Sequence, residues 1–155
     1  MDKKLKIKYY GQEPYQCGLS CIRMVLSYFN KKLKSDELVE IKKSIQINKP
    51  KSMYPEEIIN ILKRKGLIVS DKKKCFFKTI KNKIDCDIPI IAFIEEFRTT
   101  KKPHFVVIKG YNTNKNYVYI NDPQSSHRKE LNYKTFSRNW KLDNYNHYAI
   151  YSRKK

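Results

Sequence analysis

Helical spacing of apolar residues dominates the first half of the chain, and strand-like runs dominate the second. Between residues 17 and 30 the polar positions are Ser20, Arg23, Ser27 and Asn30. Three- and four-residue spacing makes these a single stripe, so the sequence predicts a mostly buried helix. A second helix is expected over 36–44, capped by Ser35. The segment PEEIINILKRKG carries the clearest helix signals. Pro55 suits its first position, Glu56 and Glu57 its first turn, Lys63 to Lys65 its last turn and Gly66 its C-terminal end. GLIVS then reads as a short strand and residues 77–83 as a helix. IPIIAFIEE is a near-continuous apolar run opened by a proline, as expected of a buried strand. HFVVIKGY and YVYIND read as strands joined by the turn-rich NTNKN, followed by a short helix in YKTFSRNW and a last strand in HYAIYS. Helices first and an antiparallel sheet after them predict an α+β fold.

Composition narrows the class. A length of 155 residues suits one domain, 1–155, with a single core. Apolar residues make up 40% and there are 12 Tyr, 7 Phe and 1 Trp, which excludes wholesale disorder. No run approaches the roughly 18 apolar residues of a membrane span. MDKKLKIKYY carries charges with no apolar stretch behind them, unlike a signal peptide. Cys17, Cys21, Cys75 and Cys86 are therefore expected as free thiols in a reducing compartment. No CxxC pair or His-x-Cys cluster points to a metal.

The net charge of +19 suggests a nucleic-acid partner at first sight. Yet the basic residues are scattered in short groups, and no zinc-finger, RRM or KH signature accompanies them. Two readings of the charge stay open. One is coding bias toward Lys, Asn, Ile and Tyr; the other is an acidic partner, whether peptide, anionic membrane surface or RNA.

The candidate chemistry lies in QEPYQCGLSCIRMVLSYF, residues 12–29. Cys17 falls at the start of the buried helix, where unpaired N–H groups and the helix dipole favour a thiolate. Gly18 would let a substrate backbone approach. In the predicted hairpin, a turn centred on Thr113 gives paired residue numbers a constant sum of about 226 and sets His104 opposite Asp122, with Cβ atoms roughly 5 Å apart. A centre at Asn114 moves the register by two residues. Such a pair supplies a base for the thiol and a carboxylate that fixes the tautomer of the base. The Gln12 amide and the Cys17 backbone N–H are candidate oxyanion donors. Against this stands the common fate of cysteine as a small core residue, which is the expected role of Cys21, one turn inside the helix. Cys75 and Cys86 show no partner in the sequence. His127 and His147 are alternative bases without a strand-paired carboxylate.

The same segment resembles the cysteine box of the double-glycine leader peptidases, the papain-like domains of ABC transporters that mature and export bacteriocins and related peptides. KPHFVVIKGYN and YVYINDPQ resemble that family's histidine box and Asp-Pro motif, SMYPEEIINILKRKGL the helix between them, and FSRNW its Phe…Trp segment. The likeness runs in order from about residue 8 to residue 152. It implies a papain-like α+β fold with Cys17 as nucleophile, His104 as base, Asp122 as orienting acid and Gln12 as oxyanion donor. One departure is visible: the family's Gln stands one residue further from the Cys, where this chain has Gly11.

The resemblance also implies a substrate and a setting. The substrate would be a precursor peptide with an amphipathic leader helix, often acidic, cut after a Gly-Gly type site. The partners would be the transmembrane and nucleotide-binding domains of an ABC transporter at the inner face of the bacterial plasma membrane. Membrane contact would come only through them. No cofactor, metal or nucleic acid is implied, and ATP would belong to the transporter. Two other classes remain: a different papain-like hydrolase or acyltransferase, and a basic module that binds acidic peptides or nucleic acid without cutting.

Overall fold

The computed structural model describes residues 1–49, 51–98 and 100–155. In chain order the elements are β1 (Asp2–Lys4), α1 (Cys17–Tyr28), α2 (Ser35–Ile47), α3 (Pro55–Arg64), β2 (Leu67–Lys72), α4 (Phe77–Asp85), β3 (Ile90–Glu95), β4 (Pro103–Asn112), β5 (Tyr117–Asn121), β6 (Glu130–Asn132), α5 (Tyr133–Asn139), β7 (Lys141–Leu142), β8 (Tyr145–Asn146) and β9 (Tyr148–Lys154). The α+β class expected from the sequence is the one formed. Among the described residues no helix is long and apolar enough to cross a membrane.

Among the described residues, seven strands form one antiparallel sheet in the order β2-β9-β3-β4-β5-β6, with β1 paired to the end of β4. β3 lies in the middle, between β9 and β4, and both of its faces are covered. That explains why IPIIAFIEE shows no alternation: neither face meets water. Phe93 and Phe105 stack across the β3–β4 pair with ring centroids 4.3 Å apart. The Phe…Trp segment is core as well. Phe136 and Trp140 are fully buried, and the Trp140 indole N–H donates to the Tyr148 carbonyl at 2.9 Å.

α1 forms because its apolar residues almost surround it. Cys17, Gly18, Leu19, Ser20, Cys21, Ile22, Met24, Val25 and Leu26 are all buried, and the helix lies against β4. Ser20, read from the sequence as part of a polar stripe, is buried because its hydroxyl donates to the Gly11 carbonyl at 2.9 Å. α3 begins at Pro55, where the Tyr54 N–H donates to Glu57 Oε1 at 2.9 Å. It ends before Gly66, whose φ of 89° is the left-handed stop glycine provides.

The hairpin register departs from expectation. Asn112, Tyr111 and Gly110 pair with Tyr117, Val118 and Tyr119, whereas Ile108 and Val107 pair with Ile120 and Asn121. Lys109 has no partner residue, so the strand carries a β-bulge there. The register centred on Thr113 does not form. The register centred on Asn114 is reached only beyond the bulge.

Candidate active site

β-pairing alternates faces, so one extra residue changes which side chains share a side. Continued past Val107↔Asn121, the register sets Asp122 opposite Val106, two residues from His104 and on the same face. The pairing nearer the turn, carried through without the bulge, would set Asp122 opposite Val107 and leave it on the other face. The Lys109 bulge thus brings imidazole and carboxylate together, as diagonal neighbours and not as the directly opposed pair expected from the sequence. The side chains bridge the diagonal: His104 Nε2 lies 2.7 Å from Asp122 Oδ1.

Asp122 is fully buried and saturated with donors. Its Oδ1 accepts from His104 and from the Gln124 backbone N–H at 2.9 Å, and its Oδ2 accepts from Arg128 at 2.6 Å. Burial works against its charge, but His104, Arg128 and the Gln124 N–H together hold the carboxyl below its ordinary range. A carboxylate with these partners fixes the histidine tautomer. Nε2 carries the proton toward Asp122, which leaves Nδ1 for the other neighbour.

That neighbour is the Cys17 thiol. His104, 3% exposed, would be pushed down by burial alone. Hydrogen bonds to Asp122 and to the Cys17 side chain outweigh burial and raise it from 6.5 to about 9. Cys17 is the first residue of α1, following Gln16 at φ −110° and ψ 22°. The first turn holds no acidic residue, and among the described residues no side chain caps it. Its open N–H groups therefore face the thiol without competition. Tyr15, two residues before, sits in the left-handed region at φ 67°, a local strain of the kind stored where a loop must aim a functional group.

Gly18 serves packing, not the close substrate approach expected from the sequence. A Cβ there would lie 3.2 Å from Met53 Cβ and Sδ and 3.4 Å from Ile58 Cδ1, so the missing side chain lets α1 seat against α3. Cys21 is fully buried, and burial followed by the nearby Cys17 pushes its thiol well up. Cys75 is also buried, with its sulfur 2.9 Å from the Tyr151 hydroxyl; Cys86 is exposed. The cysteines are all free.

Gln12 is partly buried on a loop stitched to this site. Its backbone N–H donates to the Pro123 carbonyl at 3.0 Å. The Tyr9 hydroxyl donates to the Asp122 and Pro123 carbonyls at 2.9 and 3.1 Å, and Ser20 holds Gly11. The Gln12 Oε1 is buried and has no partner among the described residues. That orphan atom is an acceptor, so the oxyanion role expected of Gln12 would fall to its amide N–H groups.

The alternative histidines lie elsewhere. His127 is exposed. His147 is a strap: Nε2 lies 2.8 Å from Ser137 Oγ, Nδ1 lies 2.6 Å from Asn146 Oδ1, and its ring lies 5.1 Å from that of Trp140. Sequence reading missed Glu96, Gln124 and Arg128. Arg128 is one basic residue among 34 and carries no distinguishing signal. Glu96, a charge closing an apolar strand, was the visible oddity. A thiol, an imidazole with a fixed tautomer and a charged carboxylate in line can form a thiolate, attack a carbonyl and return a proton to a leaving amine.

The sequence model of the Peptidase_C39 like family matches residues 4–148. No curated protein sequence matches the chain significantly. Among solved structures, the peptidase domain of Streptococcus ComA, a bi-functional ABC transporter involved in quorum sensing, is 17% identical with a TM-score of 0.72, over 96% of this chain and 98% of that one. A double glycine motif protease from an AMS/PCAT transporter, solved with its leader peptide, is 19% identical with a TM-score of 0.66, over 97% and 94%. The peptidase domain of Streptococcus mutans ComA is 18% identical with a TM-score of 0.58, over 96% and 98%. At these identities the structures establish a shared papain-like fold.

Proposed function

This chain belongs to the Peptidase_C39 like family, and from that premise we propose that it is a cysteine endopeptidase that removes leader peptides after a Gly-Gly type site from small secreted precursors. The observation that supports the reading best is the unbroken line from the Cys17 thiol through His104 to Asp122, in a chain whose family match spans all three residues. A role in binding alone gives no reason for a thiol at an open helix start to be paired with a tautomer-fixed imidazole.

In this reading the Cys17–His104 pair supplies the thiolate, with the proton on Nδ1. Sγ attacks the carbonyl carbon of the residue before the scissile bond. Negative charge then moves to the carbonyl oxygen, where the Gln12 amide and the Cys17 backbone N–H donate. As the C–N bond breaks, His104 gives its proton to the leaving amine, and a thioester remains on Cys17. His104 next takes a proton from water, the hydroxide displaces sulfur, and the leader leaves as a carboxylate. Asp122 stays ionised throughout and holds the ring. The substrate's leader would bind as an amphipathic helix, and acidic residues in it would meet the basic surface. An ABC transporter would be the partner, placing the domain at the inner face of the plasma membrane, with ATP used only by that partner.

The test is alkylation and cleavage together. Iodoacetamide should label Cys17, and labelling should stop cleavage of a Gly-Gly leader substrate. Cleavage that survives full labelling of Cys17, or a protein that cuts no such leader, would refute the proposal.

A further inference from the structure

Glu96 is a carboxylate in an unexpected place. It follows the central strand β3, is 3% exposed, and continues the β3–β4 ladder by donating its N–H to the Lys102 carbonyl at 2.8 Å. Ile94 pairs with His104, so Glu96, two residues on, lies on the face that carries His104. Charged side chains are almost never buried this fully without a purpose or a set of partners. Burial works against its charge, but Gln124 and Arg98 hold the carboxyl below its ordinary range.

Its partners lead back to the site. Glu96 Oε2 accepts from Gln124 Nε2 at 2.8 Å and from Arg98 at 3.0 Å. The backbone N–H of that same Gln124 donates to Asp122 Oδ1, the oxygen that His104 also uses. A continuous path of short hydrogen bonds therefore runs Glu96, Gln124, Asp122, His104. The charged and titratable groups around it are Cys17 and Cys21 from α1, Tyr9 from the segment before α1, His104 from β4, Asp122 and Arg128 from the β5–β6 connection, and Arg98 from the β3–β4 connection. α5 contributes Asn139, whose amide donates to the Glu95 and Glu96 carbonyls at 3.2 Å. Arg128 is itself held over the Phe97 ring at 4.8 Å. Glu96 Oε1 and Gln124 Oε1 have no partner among the described residues, so these two side chains are committed to each other through one oxygen and one nitrogen.

We propose that Glu96 is a positioning residue of this site: it anchors the Gln124 side chain, and the Gln124 backbone anchors the Asp122 oxygen on which His104 depends. This rests on the peptidase reading for its consequence in catalysis, but not for its geometry. Gln124 follows Pro123 in the turn that leaves β5, and among the described residues no other hydrogen bond holds its side chain. Without Glu96 the turn would lose its tether to β3, and the 2.7 Å contact between Asp122 and His104 would loosen.

The experiment is an NMR titration of the three histidines in wild type, Glu96→Leu, Gln124→Ala, the double variant and Glu96→Gln. Glu96→Leu removes the acceptor with little change of shape and leaves Arg98, largely exposed, free to turn to water. It should lower the His104 midpoint by on the order of half a pH unit or more and leave His127 and His147 in place. Gln124→Ala, which changes no charge, should shift His104 in the same direction. The double variant should shift it no further than the larger single one, because one path is cut twice. Glu96→Gln keeps an acceptor and should recover part of the loss. An unmoved His104 in Gln124→Ala, or single shifts that add in the double variant, would overturn the proposal. If Glu96→Leu does not fold, Gln124→Ala alone decides. The titration needs no substrate: a protein that cuts no leader but shows these shifts would uphold the positioning role and refute the peptidase reading. Where cleavage is seen, kcat should fall with KM nearly unchanged.

Discussion

Replacing Asp122 by Asn tests the site most sharply, because the structure says what the amide cannot do. The carboxylate accepts from three donors, His104 Nε2, the Gln124 N–H and Arg128, at 2.7, 2.9 and 2.6 Å. Asn has one acceptor oxygen and an NH₂ that can only donate. If its oxygen faces Gln124 and His104, the NH₂ confronts a guanidinium that stays charged, and Arg128 must swing off Phe97. If its oxygen faces Arg128, the NH₂ points at His104 Nε2 and forces the proton onto Nδ1, the wrong tautomer for taking one from Cys17. Either way the negative charge beside the ring is gone. His104 is raised from 6.5 to about 9 against burial, which corresponds to roughly 3 kcal/mol of support for the imidazolium, shared between Asp122 and Cys17. Losing about 2–3 kcal/mol of it predicts a fall in kcat of roughly 30- to 200-fold, and more where the wrong tautomer prevails. The assay is steady-state cleavage of a Gly-Gly leader substrate from about pH 5 to pH 10, with a thermal melt to confirm folding. KM should change little, and the alkaline limb should move to lower pH. A loss confined to KM, or an unchanged alkaline limb, would refute the orienting role.

Cys17→Ala should abolish cleavage and leave leader affinity intact by calorimetry, whereas Cys21→Ala, in the core, should retain most activity; the reverse pattern would reassign the nucleophile. Stability should fall as pH rises from about 6.5 to about 9: His104 is raised in the fold, so its contribution is complete below its unfolded value and is lost through its folded one. Thermal melts should show this slope, and Cys17→Ala should flatten it. Raising salt from about 50 to about 500 mM shortens the Debye length from roughly 14 to roughly 4 Å, so kcat/KM for an acidic leader should drop a few-fold with kcat nearly flat, and a leader with Gln for its acids should lose that dependence. If cleavage of the acidic leader ignores salt, the +19 charge serves another partner or none.

Much of the fold is written plainly in the chain. α1, α3, β3, β4, β5 and β9 all fall where the apolar pattern puts them, because each is long enough to show its period or its unbroken run. β1, β6, β7 and β8 are two or three residues each and show no period. β1 reads as charge, DKK, and becomes a strand only because β4 offers it an edge. Gly18 shows a limit of another kind. A glycine beside a thiol suggests room for substrate, and only the arrival of Met53 from the segment before α3 and of Ile58 from α3 reveals that the room is used for packing.

His104 and Asp122 were legible as a pair, yet the geometry behind the pairing was not. Turn counting assumes two regular strands, and the hairpin has one residue too many. That residue is tied from outside: the Leu5 N–H donates to the Lys109 carbonyl at 2.7 Å, and the next position must be Gly110, since a Cβ there would collide with the Lys3 carbonyl. The bulge is therefore held by the N-terminal segment, over 100 residues away in sequence. The same segment runs on to Tyr9 and Gln12, which are tied to the Asp122–Pro123 turn. One stretch of chain thus sets the face of the carboxylate, braces its backbone and delivers the amide expected to meet the oxyanion. A local reading finds each of these residues separately. What joins them is a strand too short and too charged to announce itself.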